Sequence, residues 1–131
     1  MSISSDIFQK MYNSSAIQAL VDTMPDGKYA VFHDLVVPET FTGDASINFY
    51  RVDPIDNTMV IQEEVYTVNC RAEAFADANT LADAVITLLN RKKSSSTGFC
   101  YMSKLPPIRP IDETDNYNVP VEIRVKNKDL T

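Results

Sequence analysis

Apolar positions in the first part of the chain repeat at helical spacing. Between residues 7 and 24 most apolar side chains lie three or four positions apart, which places them on one face of a helix. Residues 13–15 are Asn-Ser-Ser, and such side chains favour caps and turns over helix interiors. The pattern predicts one broken helix or two short ones, capped by Ser4 or Ser5 and ended by the turn formers at 25–27.

Five later segments have the composition of strands. Four of them, 28–37, 47–53, 59–72 and 119–127, alternate in polarity or are rich in β-branched and aromatic residues, and 99–105 is strand-like. The turn formers at 54–58 are expected to join the second and third segments into an antiparallel hairpin. Alternation within 59–72 places Tyr66, Val68, Cys70 and Ala72 on one face. Pro120 has no N–H, which suits a strand start or an edge strand.

A second helix is predicted to begin near Ala76 or Asp77, with Asp77 as its cap. Its apolar stripe consists of Leu81, Val85, Leu88 and Leu89. The basic run 91–93 is then expected at the C-terminal end, where cations meet the negative end of the helix dipole, and 94–98 is expected to be a loop.

The order of these elements predicts an α+β domain. We expect a mainly antiparallel β-sheet with two helices packed on one face. The length fits a single domain over 1–131, whose ends, 1–5 and 128–131, are expected to be flexible.

The chain has the composition of a folded protein with an acidic balance. Hydrophobic residues make up 44%, charged residues 23%, and the formal net charge is -6. Because acidic proteins repel nucleic-acid phosphate, a DNA- or RNA-reading role is disfavoured. Cys70 and Cys100 lack metal or redox spacing, and neither a signal peptide nor a membrane-spanning apolar run is evident. We therefore expect a protein made in a reducing cytoplasm, with both thiols free.

Candidate chemistry is sparse. His33 is followed by Asp34, but adjacent strand residues point to opposite faces, and no serine motif accompanies them. The acids Asp53, Asp56, Glu63 and Glu64 lack the spacing of a calcium loop. The acidic run 112–115 lies in a proline-flanked loop, and the basic run 91–93 is a weak nucleic-acid footprint in an acidic protein. We predict no catalytic residue, no cofactor and no metal ion, so the functional regions are expected to be surfaces, namely 38–46, 59–72 and 105–118.

The order and spacing of these segments resemble the tail-terminator, or tail-completion, proteins of long-tailed bacteriophages. The matching text is AIQALVDTMPDGKYAVFHDLVVPET, INFYRVDPIDN, EEVYTVNCRAEAFADANTLADAVITLL and YNVPVEIRVKN, and the resemblance covers about residues 6–127. The chain departs from the family in the Asn-Ser-Ser interruption, in the absence of the usual tryptophan or aromatic near the last strand, and in the long loop PPIRPIDETD.

The resemblance implies a tail-terminator-like fold and a structural virion protein that is not an enzyme. Such proteins form a homo-oligomeric ring, commonly of six subunits, at the head-proximal end of the tail tube, where they stop tube growth and join the tail to the neck. Their partners are the tail tube protein and neck or connector proteins. Genomic DNA passes through the ring without sequence-specific binding, and no membrane is involved.

An acidic lumen would keep the passing genome from adhering, because like charges repel. Glu39, Asp44, Asp53 and Asp56 lie in predicted loops and are the candidates for lining it. Assembly is expected in the host cytoplasm, with the finished protein in the tail or neck of the virion.

Three alternatives remain open. One is another neck, head-completion or tail-tube ring protein. A second is a small ligand-binding or enzymatic α+β domain that uses His33, which a buried pocket around that residue would favour. The third is an adaptor that binds a peptide by strand addition.

Overall fold

A computed structural model of the chain describes residues 3–38, 41–52, 63–89, 93–94, 98–108 and 116–126. The helices of this part are α1 (Ile3–Tyr12), α2 (Ser15–Gln18) and α3 (Phe75–Leu89). Its strands are β1 (Val31–Phe32), β2 (Ser46–Arg51), β3 (Glu63–Ala72), β4 (Lys93–Ser94), β5 (Gly98–Lys104) and β6 (Tyr117–Lys126). The elements form an α+β fold, as predicted from the sequence.

The described strands form one sheet in the order β1-β2-β3-β6-β5-β4. Every neighbouring pair is antiparallel except β1 and β2, which run parallel. The predicted antiparallel pairing of β2 with β3 is confirmed by a register that sets Ile47 opposite Cys70. The turn expected at 54–58 lies outside the described residues.

The helices cover one face of this sheet. Directly opposite residues in an antiparallel ladder share a face, so Phe49, Val68 and Val121 point to the same side, and all three are buried. They belong to one core cluster with Met11 of α1, Ile17 of α2 and the α3 stripe. The predicted inward residues Tyr66, Val68, Cys70 and Ala72 are buried in it, whereas Leu88 of the predicted stripe is only partly buried.

The helix caps differ from their predictions. Ser4 and Ser5 lie inside α1, so neither is its cap. The predicted break falls at Asn13 and Ser14, and the Ser14 hydroxyl caps α2 by accepting a hydrogen bond from the Ile17 N–H at 3.3 Å. Asp77 lies in the first turn of α3 and is not its cap. A carboxylate in that turn still interacts favourably with the positive end of the helix dipole.

The strand predicted at 28–37 is wrong in extent, because only Val31–Phe32 pairs in the sheet. Beyond it, the Asp34 carboxylate accepts a hydrogen bond from the Leu35 N–H at 2.7 Å. The backbone carbonyls of Asp34 and Leu35 accept from the Asn48 side-chain amide of β2 at 3.3 and 3.1 Å. Side chains thus replace the backbone partners that a longer strand would have used.

Pro120 lies in a central strand, in contrast to the predicted strand start or edge. Its carbonyl accepts from the Leu105 N–H at 2.9 Å, just beyond the last register pair of β5 and β6, which is Lys104 with Val121. In an antiparallel ladder the N–H and C=O of one residue point to the same neighbour. The missing N–H therefore falls beyond the end of the β5 ladder, and pairing of β6 with β3 is undisturbed.

One residue of the basic run 91–93 lies in a different element from the predicted helix end. Lys93 belongs to β4 and pairs with Phe99, so it does not end a helix. Ser94, expected in a loop, pairs with Gly98. Residues 90–92 lie outside the described part, as do residues 1–2 and 128–131, whose flexibility remains a prediction.

Candidate assembly surfaces

His33 is exposed and does not form a catalytic pair with Asp34. Its ring stacks on Phe49, with ring centroids 4.5 Å apart and planes 6° from parallel. The Asp34 carboxylate accepts from the Leu35 N–H. His33 is therefore not enclosed in a buried pocket, which is the setting that would have favoured an enzymatic role.

The described residues contain no cluster of metal ligands and no helix able to span a membrane. In that part of the chain, no group of three or more His, Cys, Asp or Glu side chains is arranged to hold a metal ion. None of its helices combines the length and the apolar character needed to cross a bilayer.

Asp44, one of the four acids proposed for a lumen, connects three segments. Its backbone N–H donates to the Asp22 carboxylate, and its own carboxylate accepts from the Glu73 N–H. Its carbonyl accepts from the Asn116 side-chain amide at 3.2 Å. The half-buried Asp44 thereby fastens the loop before β2 to the β3–α3 junction and to the start of β6. Glu39, Asp53 and Asp56 lie outside the described residues.

A polar network at Tyr66 lies in the first half of β3. The Tyr66 hydroxyl donates to Glu64 Oε1 at 2.6 Å, and Arg51 Nη1 of β2 lies 3.4 Å from the same oxygen. Burial and the Glu64 carboxylate both raise the pKa of Tyr66 well above its usual range, and Arg51 and the Ser4 side chain oppose that rise. Sequence alternation placed Tyr66 inward, but it did not identify Glu64 as its partner.

Cys70 is a free, fully buried thiol on the central strand β3. Burial raises its pKa well above the usual range, and the Lys104 ammonium opposes the rise. Cys100 lies on β5, and β6 separates the two strands. The expectation of a free thiol is thus met at Cys70, and Cys70 is inert to modification while the fold is intact.

The sheet face opposite the helices is polar at its centre. Asn48, Asn69 and Asn118 lie on β2, β3 and β6 and are buried. The Asn118 amide donates to Asn69 Oδ1 at 3.0 Å across the strand pair. Among the described residues, no donor meets Asn48 Oδ1 or Asn118 Oδ1. This asparagine row was not recognised in the sequence, because each asparagine lies on a different strand and only the register of the sheet brings the three together.

The loop that follows β1, residues 33–36, exposes two large apolar side chains. We call it the clamped loop. Leu35 and Val36 are 68% and 67% exposed. The loop is not loosely held, since Asn48 binds two of its carbonyls and Asp34 binds one of its N–H groups. Exposed apolar side chains on a backbone that is held in place can serve as part of an interaction surface.

The two outermost strands of the sheet are short. Within the described strands β1 pairs only with β2, and β4 pairs only with β5, over two residues each. Outer strands present backbone donors and acceptors that a further strand can use. In the described part of the chain, the sheet therefore has two edges at which another polypeptide can extend it.

No protein-family model and no curated protein sequence matches this chain. Among solved structures, a chain of the virion of a native gene transfer agent particle has the same fold, with a TM-score of 0.67. The two sequences are 19% identical, and the alignment covers 96% of this chain and 94% of that chain. The likeness therefore extends over the whole domain and establishes the α+β fold independently of sequence similarity.

Proposed function

We propose that this chain is a structural subunit of a phage-like virion, and that it forms the ring that ends the tail tube and joins the tail to the neck. The observation that carries the proposal is the fold shared with a virion chain over nearly the full length of both proteins. A domain that matches from end to end, and not through a common sub-motif, has its helices and strands in the same arrangement, and the surfaces used for assembly are then specified by this chain's own side chains.

The surfaces of the described residues support an assembly role. Both outer strands are available for pairing, and the clamped loop presents Leu35 and Val36 to solvent. Head-to-tail contacts between such surfaces close into a ring when the rotation between subunits is right. The net charge of -6 suits a channel that DNA must pass without adhering.

Light scattering across protein concentrations, together with negative-stain imaging, tests the proposal. Closed rings, alone or after addition of tails from the particle whose genome encodes the chain, are expected for a terminator. Antibody labelling of intact particles should then mark the head-proximal end of the tail. Long tubes would shift the assignment to a tube subunit, and labelling at the head vertex of tailless particles would shift it to a connector. A monomer that leaves tails unlabelled would contradict a virion role.

A further inference from the structure

The clamped loop has the sequence of a strand but not its conformation. Residues 31–37, VFHDLVV, are rich in β-branched and aromatic side chains, which strands favour. The parallel ladder of β1 and β2 nevertheless ends at the pair Phe32 and Asn48. Among the described residues, no acceptor meets the N–H of Asp34 or of Val36, the two donors that a longer β1 would turn toward β2.

The existing register predicts how a longer β1 would pair. Val31 lies opposite Ile47, so each partner is 16 positions later in the chain. At that spacing the further pairs would be His33 with Phe49, Asp34 with Tyr50, Leu35 with Arg51 and Val36 with Val52. The first of these pairs is already partly present, because the His33 ring stacks on that of Phe49 with centroids 4.5 Å apart. The chain therefore leaves the strand path directly after His33.

The Asn48 side chain holds the loop away from that path. Its amide nitrogen donates to the carbonyls of Asp34 and Leu35 at 3.3 and 3.1 Å. Carbonyls of consecutive strand residues point in opposite directions, so one side chain cannot bind both of them in a longer β1. The two bonds to Asn48 and the extension of β1 therefore exclude each other.

The burial of Asn48 also carries a cost. The residue is 1% exposed, and no donor among the described residues meets its side-chain oxygen. Burying an acceptor without a donor lowers stability, and a β-branched apolar side chain is favoured at a strand position. An amide that costs stability at this position indicates a role beyond holding the fold together.

The choice between loop and strand decides which apolar side chains face solvent. In the clamped loop Leu35 and Val36 are 68% and 67% exposed. In a longer β1, Leu35 would turn to the face of the sheet that the helices cover, because it alternates with His33. Val36 would lie beside Val52, which is itself 44% exposed. Extension of β1 would thus withdraw Leu35 and Val36 from solvent.

We infer that Asn48 is a positioning residue, which keeps the clamped loop off the sheet so that Leu35 and Val36 stay available for assembly. Without its amide, β1 extends alongside β2. The choice of conformation is a property of the single subunit, and only its consequence for assembly rests on the proposed function.

Amide hydrogen exchange tests the conformational part on the subunit at a concentration too low for assembly. In wild-type protein the N–H groups of Asp34 and Val36 should exchange quickly. In N48V, and in N48A as the smaller replacement, both groups should gain at least about tenfold protection, because the ladder gives them backbone acceptors on β2. Loss of a group that merely fastens a loop would give no such gain.

The same two replacements at Asn118 are the matched control. Asn118 is also buried and also has an oxygen that no described donor meets, but its amide donates to the Asn69 side chain and not to the loop. N118V and N118A should leave the exchange of Asp34 and Val36 unchanged. Thermal melting shows which variants are folded.

Assembly is then compared by light scattering and by capping of added tails. The concentration needed for half-assembly should rise at least about tenfold for N48V and N48A, because the apolar pair is withdrawn, and should stay near the wild-type value for the Asn118 variants.

The possible failures are distinguishable. If Asp34 and Val36 exchange equally fast in wild type and in both Asn48 variants, the loop has no strand form and the inference is wrong. If their protection rises but N48V and N48A assemble as readily as wild type, Asn48 does not position an assembly surface. If folded wild-type protein never assembles with itself or on tails, the proposed ring is wrong, whereas the exchange measurement still decides the conformation of the loop.

Discussion

The Tyr66 side chain belongs to the core, and its hydroxyl forms a hydrogen bond with a charged group outside the core, the Glu64 carboxylate. The side chain is buried, its ring lies 6.4 Å from that of Phe49, and its hydroxyl donates to Glu64, which also meets Arg51. A hydrogen bond to a charged acceptor is stronger than one between neutral groups. One hydroxyl therefore helps to hold the carboxylate that links β2 and β3.

Replacing Tyr66 with Phe should lower the free energy of unfolding by about 1–2 kcal/mol, because the Glu64 carboxylate loses a short donor while the ring packing is kept. Urea denaturation measures the change. The matched control is Y50F on the half-buried Tyr50 of β2, which should change stability by less than about 0.5 kcal/mol. Equal effects of the two variants would show that the Glu64 contact contributes nothing of its own.

Cys70 gives the fold a specific weakness in alkali. Its pKa is raised in the folded protein, mainly by burial, and is about 8.5 in an unfolded chain. A group whose folded pKa is raised contributes its full stabilisation below the unfolded pKa. Above that pH the unfolded thiol ionises and the folded thiol does not, so stability falls as pH rises.

The C70A variant should lack this dependence. The difference in unfolding free energy between wild type and C70A should be constant below about pH 8 and should then shrink by up to about 1.4 kcal/mol per pH unit. Urea denaturation of both proteins at pH 7 to 10 measures it. A difference that stays constant up to pH 10 would mean that the buried thiol ionises as easily as an exposed one.

At the scale of elements, α3 fastens the helical layer to the sheet. Leu81 and Leu89 of this helix are almost completely buried, whereas Leu88 is only partly so. The contacts of α3 with β3, β5 and β6 place it over the centre of the sheet. Its burial therefore determines most of what the helical layer contributes to stability.

L81A should destabilise the protein by about 3 kcal/mol, because it removes buried methyl groups and leaves a cavity in a close-packed core. L88A changes the same residue type on the same helix, and it should cost less than half as much. Thermal or urea unfolding of both variants measures the two losses of stability. If L88A is as damaging as L81A, the helix packs in a different rotation from the one described here.

Elements whose signals are local and periodic could be predicted from the sequence. The α3 stripe and the inward face of β3 follow from spacing, and the break between α1 and α2 follows from Asn-Ser-Ser at 13–15; each is present, although Leu88 of the stripe is only partly buried. The extent of β1 could not be predicted, because the Asn48 side chain that replaces its backbone partners is distant in sequence. The central position of β6 likewise depends on the pairing order, which spacing along the chain does not encode.

The candidate surfaces were predictable to a smaller degree. The sequence predicted a helix end at 91–93, whereas Lys93 lies in β4, at one end of the strand order. Asp44 was selected by its charge, but its carboxylate accepts the Glu73 N–H within the fold. Charge is visible in a sequence, but the side of the molecule that carries it depends on the topology.

At the scale of the whole molecule, the net charge of -6 bears on DNA passage if the chain forms the proposed ring. In a ring, the charges of every subunit add around one channel, so a modest excess of acid per chain becomes a strong field along the axis. The lining by Glu39, Asp44, Asp53 and Asp56 remains a prediction. Asp44 requires separate treatment, because loss of its carboxylate also removes the acceptor for the Glu73 N–H.

The E39K/D53K/D56K variant should assemble into particles but should slow DNA ejection by about tenfold or more, because lysines bind the phosphates that carboxylates repel. Ejection is measured by the fluorescence of a dye that binds released DNA, in particles of matched DNA content. The slowing should diminish as salt is raised. D44N keeps an oxygen acceptor at position 44, so it should preserve the loop and change ejection little on its own. Normal ejection by fully assembled E39K/D53K/D56K particles would place these three side chains away from the path of the DNA.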